Sequence, residues 1–476
     1  MAIHTSPSWL KALPRGLRVI HLHAESPVVY CGIAVRAGTR NERPDQQGLA
    51  HFCEHLAFKG TERRSARRIL NDIEGLGGEL NAFTNKEDTV YYCAIQREHV
   101  RKAIDVLLDI VFHSAYPPQE VEKEREVVCD EIESYEDSPA ELIYDDFENI
   151  LFEGHPLGHN ILGTSQQVRS YTAEDARRFT QQWYRPENCV LFVSSSGKWK
   201  EESGKFATAP ESEEYRVKSA SSEECRVDSV FSVECRVDSV EFATALEGSE
   251  EGRAVANSKL YTLNSTLKDS SLYTLNSTLK GRAVANSKLY TLNSTLKIVR
   301  DRGTHQAHVM LGTRAYAAND DRRWALYLLN NLLGGPSMNS RLSLSLRERH
   351  GLVYTVDSSM TCYSDTGLWA VYFGCDPADV NRCLHLVRKE LDRLMEKPLS
   401  PTQLRAAKRQ LQGQLAIACD NREQFTLDYA RNFLHTGHGR ILAEVMAHID
   451  SLTADDLLGT ARQIFAQDVI TTLIYQ

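Results

Sequence analysis

One pattern is written twice in this chain. An apolar stretch closing on Gly-Thr-Arg occurs as YCGIAVRAGTR at residues 30–40 and again as HVMLGTR at 308–314. A helix-like stretch follows each, QQGLAHFCEHLAFKG in the first case and DRRWALYLLNNLLGG in the second, the latter closed by Gly334 and Gly335. Strand-like runs come next, VYYCAI (90–95) and LWAVYFG (368–374), and then further helices with marked starts. Thr172 with Asp175, and Ser400 with Pro401 and Gln403, have the residues of an N-cap and its capping-box partner. A chain so organised reads as two divergent copies of one α+β domain, with strands pairing into a sheet and helices packed against it. Its 476 residues agree, being too many for a single ordinary core.

Between the copies the chain changes character. GRAVANSKLYTLNSTLK stands at 252–268 and, letter for letter, at 281–297, and ECRVDSV appears at 224–230 and 234–240. Repeats in a working array normally drift, so identical neighbours point to a recent duplication, a flexible linker or an error in the recorded sequence. No catalytic residue is expected there. The resulting division is 1–197, then a repeat-containing linker or insertion at 198–297, then 298–476.

Net charge narrows the function classes. At −9 the chain lacks the basic footprint of a nucleic-acid binder, so no nucleic-acid partner is expected. Nothing approaches the ~20 consecutive apolar residues of a membrane span, and the N-terminus has no signal-peptide pattern. The eleven cysteines are scattered, odd in number and form no CxxC pair, which suits reduced thiols and a cytoplasmic location.

The first helix-like stretch carries the chemistry. Within GLAHFCEHLAFKGT (48–61), His51 and His55 are four apart, hence ~40° apart around a helix, and project from one face where they could share a metal ion. Glu54 adjoins them, within reach of a water at the metal without being a ligand. This is the order H-x-x-E-H, the inversion of the commoner zinc motif. A catalytic zinc takes three protein ligands and keeps a fourth position open, so a third ligand is required elsewhere. The acidic run EVEKEREVVCDEIESYEDSP (120–139) offers Glu124 and Glu131, two helical turns apart on one face. Taken alone, a glutamate in such a run belongs to a solvated helix surface.

These residues together resemble the pitrilysin/insulinase family of zinc peptidases, which includes the mitochondrial processing peptidase. The resemblance implies a processing-peptidase-like fold of two domains with mostly antiparallel sheets, and one zinc per chain held by His51, His55 and Glu131, with Glu124 supporting the site from outside. Glu54 is then the general base. GGELNAFTNKEDTVYYC (77–93) is similar to the family's substrate-binding edge strand, onto which Asn81, Ala82, Phe83 and Thr84 map. LRERHGLVY (346–354) resembles the family's arginine/tyrosine pair, giving Arg347 and Tyr354 as stabilisers of the oxyanion. The implied activity is endoproteolysis of extended peptides within a chamber. A two-domain member would build that chamber as a homodimer, or as a heterodimer with a related subunit, pairing the zinc site of one chain with the arginine/tyrosine pair of another. The competing expectation is a non-catalytic scaffold or partner subunit, a class that typically lacks the ligands or base this chain retains. Cys53 is expected to be a small buried filler, and His155 and His159 loop residues.

Overall fold

The computed structural model describes residues 16–196 and 295–476 apart from residue 440, with strand fragments at 9–12, 199–200, 225–229, 232–234 and 287–292. Most of the expected linker, 198–297, therefore lies outside the described residues. In the first half, β1 (Trp9–Ala12), β2 (Arg18–His23) and β3 (Val28–Val35) precede α1 (Leu49–Ala57) and α2 (Ala66–Glu74). A hairpin of β4 (Glu79–Thr84) and β5 (Thr89–Gln96) follows. Helices α3 (Val100–Phe112), α4 (Pro118–Glu136), α5 (Pro139–Leu151), α6 (Ser165–Val168) and α7 (Ala173–Trp183) lead to β6 (Cys189–Ser195).

The second half repeats that order. It runs β7 (Ser287–Leu292), β8 (Thr295–Arg300), β9 (Ala307–Ala315) and α8 (Arg323–Gly334), then a π-helical segment (Ser343–Arg349) where the first half has α2. The hairpin β10 (Val353–Cys362) and β11 (Gly367–Cys375) is followed by α9 (Val380–Glu396), α10 (Pro401–Ala418) and α11 (Arg422–Thr436). Helices α12 (Leu442–Ser451) and α13 (Ala454–Ile464) and the strand β12 (Thr471–Tyr475) complete it.

The two sheets have the same strand order, β1-β2-β6-β3-β5-β4 and β7-β8-β12-β9-β11-β10. Only the pairs β2/β6 and β8/β12 are parallel, so both sheets are mostly antiparallel. In each, the last strand of the half inserts between the first two long ones, and β6 thereby completes the first sheet by Ser195. The second sheet begins with β7 at Ser287 and β8 at Thr295, ahead of residue 298, because the final repeat copy runs directly into strand-forming residues. The shared Gly-Thr-Arg letters also diverge. Gly312–Arg314 lie within β9, whereas β3 ends at Val35 and the amides of Thr39 and Arg40 bond the carbonyls of Asn85 and Lys86 in the β4–β5 turn (3.2 and 2.7 Å).

Helices cover one face of each sheet, as an amphipathic pattern requires. In the first half, Val29, Cys31, Ile33 and Val35 of β3 and Leu191 and Val193 of β6 point into the core beneath α1 and α3. Strand alternation sends Ala34, Val190 and Phe192 to the opposite face. That face is closed from the other half: Leu427, Ala430, Phe433 and Leu434 of α11 pack on it with Ile20, Leu22 and Val90. The exchange is reciprocal, since Leu142, Ile143, Phe147 and Leu151 of α5 join the core of the second sheet. Polar contacts tie α5 there as well. Asp146 pairs with Arg300 and accepts from the Tyr475 hydroxyl, and Arg314 donates to the Leu151 carbonyl (2.8 Å).

Candidate metal centre

Helix α1 is set in place at its N-terminus. Gly48 precedes it with φ +87°, and a Cβ there would stand 2.4 Å from the Leu162 carbonyl oxygen, so the close approach of residues 47–48 and 162–163 demands glycine. The buried Glu42 carboxylate accepts from the amides of Gly48 (2.9 Å) and Ala50 (2.7 Å), capping the helix, and pairs with His159 Nε2 (3.0 Å). Cys53 is buried with its Sγ 3.9 Å from the Ala176 carbonyl, on the side facing α7.

His51 and His55 emerge one turn apart from α1, their rings 4.5 Å apart between centroids. The second partner is α4, whose buried positions Val121, Glu124, Val128 and Ile132 recur every three or four residues. Glu124 and Glu131 ride with that stripe, not on a solvated surface. Glu131 Oε2 lies 3.4 Å from His55 Nε2 and 3.8 Å from His51 Nε2. Among the described residues, His51, His55 and Glu131 form the one cluster able to offer a metal three ligand atoms, all within 4.8 Å of one another.

The neighbours of this cluster fix its orientation. The Nδ1–H of His55 donates to Glu124 Oε1 (2.9 Å), a carboxylate oxygen being acceptor only, which turns Nε2 toward Glu131. Lys59 holds the other Glu124 oxygen at 2.7 Å. Glu54 is buried, and Thr84 at the end of β4 donates its hydroxyl to Glu54 Oε2 (2.7 Å). The charges respond to burial and to each other. Burial and the neighbouring imidazole push His51 down to about 3. Burial opposes a charge on His55 too, but the carboxylates of Glu124 and Glu131 outweigh it and raise it to about 10. Burial would lift Glu124 and Glu131, yet their basic partners hold both below the ordinary carboxylate value. Glu54 moves upward, driven chiefly by burial.

Zinc fits these residues on their own chemistry. Two imidazole nitrogens and one carboxylate are the donor set of a three-ligand site with an open position, and Glu131 Oε2 is buried between the imidazoles without a hydrogen-bond partner.

The residues expected to bind substrate divide. Among the described residues, strand β4 ends the sheet and pairs with β5 alone, which leaves its outer backbone edge open there. Its side chains alternate. Ala82 packs toward the helix core and Thr84 toward Glu54, whereas Phe83 joins the α11 side and Asn81 shares that face. Thr84 is thus committed to Glu54. Arg347, in the π-helical segment, donates to Glu348 (2.9 Å), Tyr354 is 87% exposed, and neither hydrogen-bonds to His51, Glu54, His55 or Glu131. Glu42, Lys59 and the Thr84–Glu54 contact carry no motif.

A family model described as Insulinase (Peptidase family M16) matches residues 18–165, and one described as Peptidase M16 inactive domain matches residues 275–411. An uncharacterized zinc protease of Streptomyces coelicolor is 32% identical over 96% of this chain and 86% of its own length. One of Bacillus subtilis is 28% identical over 94% and 92%. The fold is similar to that of a protease from Helicobacter pylori (TM-score 0.74, 18% identity, 98% of this chain and 99% of that one). It is also similar to a peptidase M16 inactive domain from Pseudomonas fluorescens (TM-score 0.72, 15% identity, 98% and 97%).

Proposed function

The chain belongs to the insulinase-type M16 peptidase family, and from that membership we propose that it is a zinc-dependent endopeptidase acting on extended or unfolded peptides. The observation that carries this reading is the buried Glu131 oxygen facing both Nε2 atoms, beside a glutamate held ready by Thr84. His51, His55 and Glu131 would hold one zinc per chain, which supplies Lewis acidity toward a peptide carbonyl and a water whose pKa falls to about 7.

The rest falls to the chain's own side chains. Glu54 accepts the proton of the attacking water and returns it to the leaving amine, and its raised proton affinity suits both steps. Thr84 occupies one Glu54 oxygen, leaving the other for the water. Glu124 keeps the His55 ring turned and its Nδ1 protonated. A substrate strand adds to the open edge of β4, drawing affinity from backbone hydrogen bonds.

Arg347 and Tyr354 enter this scheme from a second subunit. The support is that Tyr354 is exposed, that a buried Arg347 Nη2 has no hydrogen-bond partner among the described residues, and that neither side chain hydrogen-bonds to Glu54 there. A homodimer with first domain facing second supplies two complete sites, and a heterodimer with a related subunit supplies at least one. Nine cysteines outside the strand fragments are all free thiols, which accords with a cytoplasmic location; among the described residues, no helix is long and apolar enough to cross a membrane.

The test is metal analysis with peptide cleavage on the purified chain and its Glu54→Gln variant. Both proteins should bind one zinc, with turnover lower in the variant by about 10²–10⁴-fold. Near wild-type cleavage by Glu54→Gln would remove Glu54 from the proposed role.

A further inference from the structure

We propose that Arg431 and His435, on α11 of the second domain, are positioning residues for the substrate strand of the first: through Asp88 and Phe83 they fix where β4 lies against α1. The proposal rests on the peptidase reading above and gives the second domain a part in it.

An edge strand is hydrogen-bonded on one side only, so its position depends on what holds its two faces and its turn. On the α1 face, Thr84 reaches Glu54. On the opposite face, the Arg431 guanidinium lies 5.9 Å from the centre of the Phe83 ring. The same guanidinium donates to both oxygens of Asp88, at 2.9 and 3.4 Å, and His435 Nε2 stands 2.9 Å from Asp88 Oδ2.

Asp88 is 2% exposed and closes the β4–β5 turn, its carbonyl accepting from the Asn85 amide (2.8 Å) and its carboxylate from Asn85 Nδ2 (2.8 Å). Asn85 follows Thr84 directly. A displacement of Asp88 is therefore handed through one tight turn to the hydroxyl that holds Glu54 and to the edge that receives substrate. Both consequences bear on catalysis, since small misplacements of a reacting pair are costly. Contacts that merely joined the two domains would not need to converge on this turn. Phe83 and Asp88 bring them to the strand and to its end.

The experiment uses the full-length chain with Arg431→Gln and the conservative Arg431→Lys, which keeps a cation for Asp88. Arg431→Gln should bind zinc as the wild type does while KM for an extended peptide rises about tenfold, and Arg431→Lys should recover most of that rise. Hydrogen exchange at residues 79–88 should quicken about tenfold in Arg431→Gln, with α1 and α4 unchanged. A KM within twofold of wild type, or faster exchange spread evenly over the first domain, overturns the proposal. If the wild type cleaves no peptide, it is the peptidase reading that fails, and the exchange pattern alone then decides this one.

Discussion

Helices α1 and α4 of the first half have counterparts in α8 and α10 of the second, at the same places in the element order and beside sheets of the same topology. The first pair carries His51, Glu54, His55, Glu124 and Glu131. The second pair, RWALYLLNNLLG and PTQLRAAKRQLQGQLAIA, contains no histidine, aspartate or glutamate. Where α1 buries His51 and Glu54 and half-buries His55, α8 buries Leu326, Leu328, Leu329 and Leu333. One scaffold therefore tolerates either a polar cluster that a metal would satisfy or a largely apolar core in which Asn331 is the buried polar residue of α8. The description of the C-terminal family model as inactive agrees with that chemistry.

The comparison breaks most sharply at the metal. His51→Ala or His55→Ala should abolish zinc binding and cleavage together, since two remaining ligands cannot hold an open site. Asn331→Ala in α8 should leave one zinc per chain, and metal analysis of the three proteins decides the matter. Zinc retained in the histidine variants would place the metal elsewhere.

The division of labour can be sharpened by mixing. Glu54→Gln and Tyr354→Phe proteins, each nearly inactive alone, should regain up to about a quarter of wild-type activity after subunit exchange. If the chain pairs as proposed, half of a random mixture would be mixed dimer, with both residues intact in one of its two sites. No recovery after demonstrated exchange would put the working site inside one chain.

A smaller effect is expected at the contact between the halves. Burial opposes the Asp88 charge, but Arg431 and His435 hold its carboxyl well below the ordinary carboxylate range. A depressed pKa contributes stability above the unfolded value of about 3.9, and that contribution is lost as pH falls from there toward the folded value. Asp88→Asn should therefore cost about 2 kcal/mol at neutral pH, and the gap to wild type should narrow below about pH 4 in denaturant titrations. A gap independent of pH would mean that the charge of Asp88 adds nothing.

The smallest effect should follow replacement of 201–286 by a short Gly/Ser linker. Both six-stranded sheets are built from residues outside it, so zinc content and melting temperature should stay close to wild type. Loss of zinc from a folded deletion protein would give the segment a role beyond connection.

The doubled architecture was legible because strand and helix periods survive divergence, and the H-x-x-E-H order was legible because ligand spacing on a helix is rigid. Other features leave no such trace. The NAFT run reads as one substrate surface, but a strand turns successive residues to opposite faces, and Thr84 goes to Glu54 while Phe83 goes to Arg431. The π-helical turn that carries Arg347 has no sequence signal of its own. The Glu42 cap on α1 depends on a carboxylate folded back from six and eight residues upstream, across a turn that propensity does not forecast. Hardest to foresee is the exchange of α5 and α11, because an apolar helix stripe does not say which sheet it will cover.

That exchange sets a timetable for synthesis. When Ser195 leaves the ribosome the first sheet can pair, but Ile20, Leu22, Ala34, Val90, Val190 and Phe192 still await residues 427–434. At about 5–20 residues per second, the intervening stretch takes roughly 10–50 s to translate. Throughout that interval a nascent chain presents an apolar sheet face to solvent, a surface that invites a chaperone or a neighbouring nascent copy.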